Sequence, residues 1–565
     1  MRPTSHQRER DSAPRDDVDF PGTPRFAIRR RIGEGAMGVV YDAFDRDLEC
    51  RVALKTLRRG DAKSLYRFKR EFRTLQDIEH PNLIRYGEMF FDADTWFFTM
   101  EFIEGVDFYQ YVRPAHPMPP ALDAPVLGLE RGFDEERLRD GMRQLAVAIH
   151  TIHRLQIVHR DIKPTNIRVT SRGRVVLLDF GLLTRQEPGD DHAPRGIVGT
   201  ATYMSPEQAY SGPIGPSSDW YSLGVVLYLA LTGRRPFRGK TPMEILMSKL
   251  EDAPLAPREW VRDVPQDLDT LCRRLMQSEP DLRPLGDEVV RELGGDPREI
   301  DGWIESRAES VDVSFVGRQA ELARLNEDLA RIDDGEPLLT LVTSPPGMGK
   351  SELLRHFAQQ GSSDSDRIVV FGRCYERESL PYKALDPIAD QLALYLASLA
   401  DHNRGPLTQS LGYWLTKLFP SFRRVSALLR EPSEFLSGLD PQVRRGRMFR
   451  AFRELLWRIA SRQRLILVID DFQWADSDSY LLLEEVLRGP DAPALHLVVS
   501  VRTDSDESAR ALAVSIGRRL PVRQRTIELG PLSPGEAAEL SERQLKEPHR
   551  HDKRVASAID NRVGG

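Results

Sequence analysis

A histidine, an arginine, an aspartate, a lysine and an asparagine crowd into residues 159–166, HRDIKPTN, directly after the apolar stretch AVAIHTIHRLQIV. A carboxylate, an amide and cations so placed could serve positioning and charge neutralisation. A solvated charge run could have the same composition, so the flanking sequence has to decide. The strand-like VVLLDFGLL follows, delivering a second carboxylate, Asp179, to a turn, and then comes GTATYMSPEQ.

Upstream, IGEGAMGVVY places Gly33, Gly35 and Gly38 in a strand-turn-strand setting, with Val40 at the start of the second strand. Glycines there let the backbone approach a triphosphate without a side-chain clash. The next strand, VALK, carries Ala53 and Lys55. A lysine within a strand needs an anion nearby, since an unpaired buried ammonium is costly. The helical stretch SLYRFKREFRTLQDI supplies Glu71 among Leu65, Phe68, Phe72 and Leu75, as the carboxylate that can reach inward.

Ordered along the chain, the glycine loop, VALK, HRDIKPTN, DFG and SPE resemble a protein kinase catalytic domain over residues 26–293. The resemblance implies that Lys55 holds the α and β phosphates of ATP and pairs with Glu71. It implies that Asp161 accepts the proton of the attacking hydroxyl, that Lys163 neutralises the γ-phosphate, and that Asn166 and Asp179 ligate Mg2+. Gly33, Gly35, Gly38, Val40 and Ala53 count as nucleotide-binding, with Met100 as gatekeeper beside adenine and Glu101 to Ile103 as hinge. Lys163, two residues past Asp161, is similar to the Ser/Thr-specific branch. Glu207 with Arg283 resembles a buried structural ion pair, and Asp219 a brace for the catalytic loop.

A second phosphate motif follows in TLVTSPPGMGKSELLRHF, an apolar strand, a glycine-containing loop and a helix start. Loop amides and the helix N-terminus can cradle phosphates there. Gly347 and Gly349 shape the loop, Lys350 reaches the β and γ phosphates, and Ser351 offers its hydroxyl to Mg2+. The pattern departs from GxxxxGKS at Ser344, where glycine is expected. Further on, RLILVIDDFQWAD ends an apolar strand in Asp470 and Asp471. Asp470 is expected on the magnesium side and Asp471 near an attacking water. FVGRQAEL, GMGKS, DDFQWAD and LVVSVRTD together resemble the AAA-like ATPase module of the STAND signalling proteins, over residues 315–565. Arg502 stands either at the place of a sensor arginine or on the surface.

The elements that must position these residues are legible too. The 565 residues suggest roughly three or four folding units. Residues 1–25 are polar and read as a disordered tail. In 26–293, strands come first and helices after, an α+β pattern that fits a bilobal kinase fold. Residues 113–132, with five prolines, read as an insertion, and 294–314 as a polar linker. From 315 on, short and almost wholly apolar strands alternate with helices, the pattern of an α/β P-loop fold built on a parallel sheet. The two modules are expected to fold separately, joined by that linker. The chain stops at RVGG, before the lid and helical repeats that the resemblance implies, so the ATPase module is expected to be C-terminally incomplete.

A net charge of −6 gives no reason to expect nucleic acid or an anionic membrane as partner. SLGVVLYLALTG is too short to span a bilayer, and no secretion segment follows Met1, so the cytoplasm is the expected location. Cys50, Cys272 and Cys374 lack CxxC spacing and read as reduced thiols. The expectation is a bacterial Ser/Thr protein kinase acting on protein substrates, joined to a nucleotide-dependent signalling module that uses ATP and Mg2+ and can self-associate. Two other readings stand beside it: a nucleotide-switched scaffold whose kinase fold is a docking domain, and a transcription regulator, for which no helix-turn-helix is evident. Residues 185–199, RQEPGDDHAPRGIVG, contain no Ser, Thr or Tyr. Asp190 and Asp191 are expected either to stand in for a loop phosphate opposite Arg160 or to form a solvated acidic turn.

Overall fold

The computed structural model describes residues 20–35, 38–58, 62–92, 94–116, 132–180, 201–210, 212–239, 241–251, 253–298, 315–331, 335–362, 366–399, 411–425, 440–503, 506–520 and 522–546. Asp190 and Asp191, the centre of the 113–132 insertion and the chain end at RVGG lie outside the described residues.

Strands β1 (Phe26–Glu34), β2 (Gly38–Asp45), β3 (Cys50–Leu57), β4 (Tyr86–Asp92) and β5 (Thr95–Glu101) form an antiparallel sheet in the order β1-β2-β3-β5-β4. Their β-branched and aromatic residues suit a pleated, packed surface. Helix α1 (Ala62–Leu75) lays Leu65, Phe68, Phe72 and Leu75, spaced at helical intervals, against that sheet. The Phe68 and Phe72 rings sit 4.7 and 5.5 Å from the Phe98 ring.

The next part of the chain is mainly helical. A small sheet of β6 (Gly105–Asp107), β7 (Ile167–Thr170) and β8 (Val175–Leu177) carries the catalytic-loop sequence between its strands. Helix Glu135–Arg154 is N-capped by Asp134, whose carboxylate accepts from Arg137 N at 3.1 Å. Helix Pro216–Thr232 is buried continuously from Ser218 to Thr232. Its apolar residues surround it, so it forms the centre of the core and not a membrane span. Among the described residues no helix is long and apolar enough to cross a membrane.

The described part from residue 315 on forms a second fold. It contributes β9 (Leu338–Ser344), β10 (Arg367–Arg373), β11 (Glu378–Ser379), β12 (Arg464–Asp470), β13 (Leu495–Arg502) and β14 (Arg523–Glu528). Five of these make a parallel sheet in the order β10-β12-β13-β9-β14, covered by helices that include Lys350–Ser362 and Pro441–Ala460. Strand β9 is buried at every position and β13 at all but its last, as parallel strands covered on both faces must be. The kinase-like α+β unit and the parallel α/β unit are the two architectures the sequence pattern called for.

Strand β11 departs from that plan. It pairs with β4 in parallel, Glu378 opposite Met89 and Ser379 opposite Phe90, and so becomes the sixth strand of the first sheet. Leu380 is buried in the core of the first unit. The expected picture of two modules joined only by a polar linker therefore lacks a connection that the structure has. Periodicity cannot reveal a strand of two residues.

Candidate functional site

Strand β3 holds Lys55 between two neighbouring strands, with Val40 opposite it on β2 and Phe98 opposite it on β5. Its Nζ donates to Glu71 Oε1 at 2.9 Å, to Glu71 Oε2 at 3.2 Å and to Asp179 Oδ1 at 2.5 Å. Glu71 is buried on the sheet-facing side of α1 and also accepts from the Tyr86 hydroxyl at 3.3 Å. Burial works against the Lys55 ammonium, yet the Asp179 and Glu71 carboxylates overcome it and hold its pKa above that of a free lysine. Burial also works against the Asp179 carboxylate, and Lys55 overcomes it, keeping its pKa low. Three charges separated in sequence by up to 124 positions are thus locked into one cluster.

The catalytic-loop residues meet nearby. Lys163 Nζ donates to Asp161 Oδ2 at 2.7 Å, and Asn166 Nδ2 donates to Asp161 O at 2.8 Å and Oδ2 at 2.9 Å. Asp161 Oδ1 is buried and pairs with none of the described residues. With Oδ2 engaged by Lys163 and Asn166, Oδ1 is the carboxylate oxygen that could accept from a hydroxyl. Asn166 spends its NH2 on Asp161, which leaves its carbonyl oxygen as a donor for a metal. With the Asp179 carboxylate this is a hard-oxygen set suited to Mg2+.

Asp219, fully buried at the start of helix Pro216–Thr232, braces the loop from below. It accepts from the His159 and Arg160 backbone N–H groups and pairs with His153 Nε2, all at 2.8 Å. Arg160 has φ 68° and Asp179 φ 50°, a conformation non-glycine residues seldom adopt, and such strain persists only where surrounding bonds over-determine it. Glu207 and Arg283 pair at 2.7 and 2.9 Å, the architectural role expected of them.

In the glycine turn, Gly35 N donates to Gly38 O at 2.9 Å. A Cβ on Gly38 would stand 1.8 Å from Thr56 O, so any side chain there would clash with β3. Gly33 pairs with Val40 across the strands. Ala53 lies opposite Met100, and both are buried near Ile103 in one cluster. The Glu101 side chain is engaged by Arg174 at 2.6 and 3.0 Å, which leaves its backbone for any hinge contact.

The second site forms at the C-terminal ends of β9, β12 and β13, where ligands bind in open parallel sheets. Gly347 and Gly349 have φ 79° and 81°, a backbone that admits glycine and little else. Lys350 Nζ donates to Ser344 O and Ser344 Oγ, both at 2.9 Å, and to Pro345 O at 3.0 Å. The unexpected Ser344 thus has a physical use: its hydroxyl helps hold the lysine. Ser351 follows, half-buried in the first turn of the helix. Arg318, from FVGRQAEL, donates to Met348 O at 3.2 Å and to Gly530 O at 2.5 Å, tying the loop to the edge of the fold.

Asp470 and Asp471 are both buried. Asp470 accepts from the Ser500 hydroxyl, which in turn accepts from Asp471 N at 2.9 Å. Asp471 is held by Arg502 at 2.8 and 3.2 Å, by Arg373 at 2.9 Å and by Gln473 at 3.0 Å. Burial opposes the Asp471 charge, but Arg502 and Arg373 keep its pKa below the usual carboxylate range. Arg502 therefore belongs to the site and not to a bare surface. Arg373 and Ser500 were not anticipated; the one signal was that each lies near the C-terminal end of an apolar strand.

Residues 26–292 match the family described as protein kinase domain, and residues 314–500 match the AAA ATPase domain. The serine/threonine-protein kinase PrkC of Bacillus subtilis is 33% identical over 259 residues, covering 45% of this chain and 38% of PrkC. Serine/threonine-protein kinase pkn2 of Myxococcus xanthus is 35% identical over 271 residues, 46% of this chain and 31% of its own. Serine/threonine-protein kinase PknA of Mycobacterium tuberculosis is 30% identical over 298 residues, 50% of this chain and 64% of its own. The chain thus spans between 31% and 64% of the length of these curated relatives. It joins a protein kinase domain, similar to those of bacterial serine/threonine kinases, to an AAA ATPase domain.

Proposed function

We propose that the chain is a serine/threonine protein kinase that transfers the γ-phosphate of ATP to hydroxyl groups of protein substrates, and that its second module is a nucleotide-dependent switch of the STAND type. One observation carries the first part: Lys55, Glu71 and Asp179 form a closed charge cluster beside Asp161, Lys163 and Asn166, with Asp161 Oδ1 left for a substrate.

In this reading Asp161 Oδ1 orients the hydroxyl of serine or threonine and takes its proton as the oxygen attacks the γ-phosphorus and the bond to the departing ADP breaks. Lys163, already paired with Asp161, sits where charge accumulates on the transferred group. Lys55 exchanges part of its contact with Asp179 for the α and β phosphates, while Glu71 keeps its ammonium in place. Asn166 and Asp179 would hold Mg2+, which when bound would offset charge on the phosphate oxygens. A fold kept only for docking has no use for this complete set, which favours the enzyme over the scaffold reading.

For the second module, Lys350, Ser351, Gly347 and Gly349 would bind the phosphates, with Asp470 and Ser351 on the metal side. Asp471, neutralised by two arginines, is a weak base for activating water. That suits a slow switch more than a fast hydrolase. Bacterial origin, a cytoplasmic setting, a part in signal transduction and self-association through this module belong to the same proposal, as do module limits of 26–293 and 315–565.

The test is transfer of label from γ-labelled ATP to a generic basic protein, followed by acid hydrolysis and separation of the phosphoamino acids. Phosphoserine or phosphothreonine is the expected product. Label found only on tyrosine, or no transfer by folded protein, would overturn the reading.

A further inference from the structure

Helix α1 carries Glu71 toward Lys55 and turns Lys69 and Arg73 the other way. Two residues before and after Glu71, these cations lie on the opposite side of the helix, one turn apart. An exposed stripe would leave them in water, yet Lys69 is 1% exposed. Its Nζ donates to Asp386 at 2.7 and 2.8 Å and to Asp390 at 3.2 Å. Arg73 donates to Glu378 at 2.6 and 3.2 Å, to Asp386 at 2.7 Å and to Asp390 at 3.0 Å. All three carboxylates come from the ATPase domain and are themselves buried.

Two buried cations are tolerated only while their anions stay in place, because removing one partner leaves an uncompensated charge. The outer face of α1 is thus tied to the ATPase domain by buried ion pairs, as its inner face is tied to Lys55. Strand β11 adds backbone contact. Met89 N donates to Arg377 O at 3.0 Å, Arg377 donates to Gln76 O at 3.0 Å just past α1, and Ser379 Oγ donates to Glu88 at 2.6 Å.

The same segment begins at the nucleotide site. Arg373 ends β10 and pairs with Asp471 at 2.9 Å while standing 3.9 Å from Asp77 of the kinase domain. Cys374 N donates to Asp470 O at 2.9 Å. Between the two domains lies a cavity of 580 Å³, whose lining includes Arg73 and Asp77 on one side and Arg373, Asp471 and Arg502 on the other. Residues 373–378 therefore run from Arg373, paired with Asp471 at the P-loop site, to Glu378, paired with Arg73 of α1.

We propose that the ATPase domain positions the kinase for phosphoryl transfer: Glu378, Asp386 and Asp390 grip Lys69 and Arg73 and so hold Glu71 at Lys55, and residues 373–379 carry nucleotide occupancy at the P-loop to that grip. These acidic residues are positioning residues, acting through α1 and touching neither ATP nor substrate. The relay half of the proposal rests on the reading that the P-loop binds nucleotide; the grip does not.

The experiment uses the full chain with Asp386→Asn and Asp390→Asn combined, Glu378→Gln alone, and Lys350→Ala. Thermal melting checks folding, and calorimetric titration with ATP counts binding sites. The two acidic-residue variants are expected to lose at least tenfold in kcat for protein phosphorylation, with KM for the protein substrate within about twofold. Arg73→Lys, which keeps a cation, is expected to retain more activity than Arg73→Met. A folded acidic-residue variant with wild-type kcat, or equal activity in the two Arg73 variants, overturns the grip. Should the double variant melt, Glu378→Gln decides, because it keeps shape and removes one charge. Lys350→Ala is expected to lower ATP stoichiometry from two sites to one and kcat severalfold. One remaining site with unchanged kcat overturns the relay; two remaining sites overturn the P-loop reading, and with it the relay, while leaving the grip to be judged by the acidic-residue variants.

Discussion

Lys55 and Lys350 are both buried lysines set beside motifs for phosphate, and their surroundings are opposite in kind. Lys55 is held by the carboxylates of Glu71 and Asp179, which come from distant parts of the chain. Lys350 is held by oxygens of its own loop, Ser344 and Pro345. The carboxylates differ in the same way. Asp161 keeps one oxygen free of any described partner, whereas Asp471 is pinned by Arg373 and Arg502. Charge is gathered for chemistry in the kinase domain and cancelled in the ATPase domain. A motif names the atoms a site owns, and their partners say whether those atoms are poised to react or held in check.

The sharpest way to break this comparison is to remove charge from the kinase site. Lys55→Met and Asp179→Ala are each expected to lower protein phosphorylation at least a hundredfold, a loss of about 3 kcal/mol or more in transition-state stabilisation. Circular dichroism should confirm folding in both, with a lower melting temperature for Lys55→Met, which leaves the buried Glu71 carboxylate without its cation, and little change for Asp179→Ala, which leaves Lys55 paired with Glu71. Retained transfer in either variant would move Lys55 or Asp179 out of the site.

Asp219→Ala should cost both rate and stability. It strips an acceptor from two backbone N–H groups and from His153, and a buried donor left unpaired costs about 1–3 kcal/mol. Urea unfolding read beside initial rates checks this. An unchanged midpoint would mean that the strained Arg160 backbone is held by something else.

At the ATPase site the expected effects are smaller. Ser344→Gly removes a hydroxyl partner of Lys350 and frees the ammonium for phosphate, so ATP affinity there should tighten by about two- to fivefold, on the order of 0.5–1 kcal/mol. Calorimetry on an Asp179→Ala background, where the kinase site is weakened, isolates the change. Weaker binding would show that the hydroxyl serves the ligand instead.

A modest pH effect distinguishes the two domains least, since each buries a histidine. Burial pushes His80 in the kinase domain and His496 in the ATPase domain down to about 4, from an ordinary 6.5. Between those values the unfolded chain binds more protons than the folded one, so stability falls as pH drops from about 6.5 to 4. Replacing His496 by Asn should flatten part of that slope in pH-dependent melting.

The sequence made some of this legible and hid the rest. Glycine turns, DFG, HRDIKPTN and GMGKS are local, and each needs its residue types at fixed spacing, so they could be read directly. Glu71 stood out because it interrupts an apolar helix face. Lys69 and Arg73 on the same helix look like ordinary surface charge, and their partners Asp386 and Asp390 lie more than 300 residues away with no periodicity to link them. Arg373 gave no sign beyond ending an apolar strand, and β11 was too short to read. Contacts between domains depend on surface complementarity, which hydrophobic patterning does not encode.

The difference between the two sites is tested most directly by following phosphoprotein and free phosphate in one reaction, for the wild type and Asp161→Asn. Phosphoprotein should fall at least a hundredfold in the variant, while a slow release of free phosphate persists at the ATPase site. Phosphoprotein formed at the wild-type rate by Asp161→Asn would contradict the account, because the poised carboxylate would then not be the one doing the chemistry.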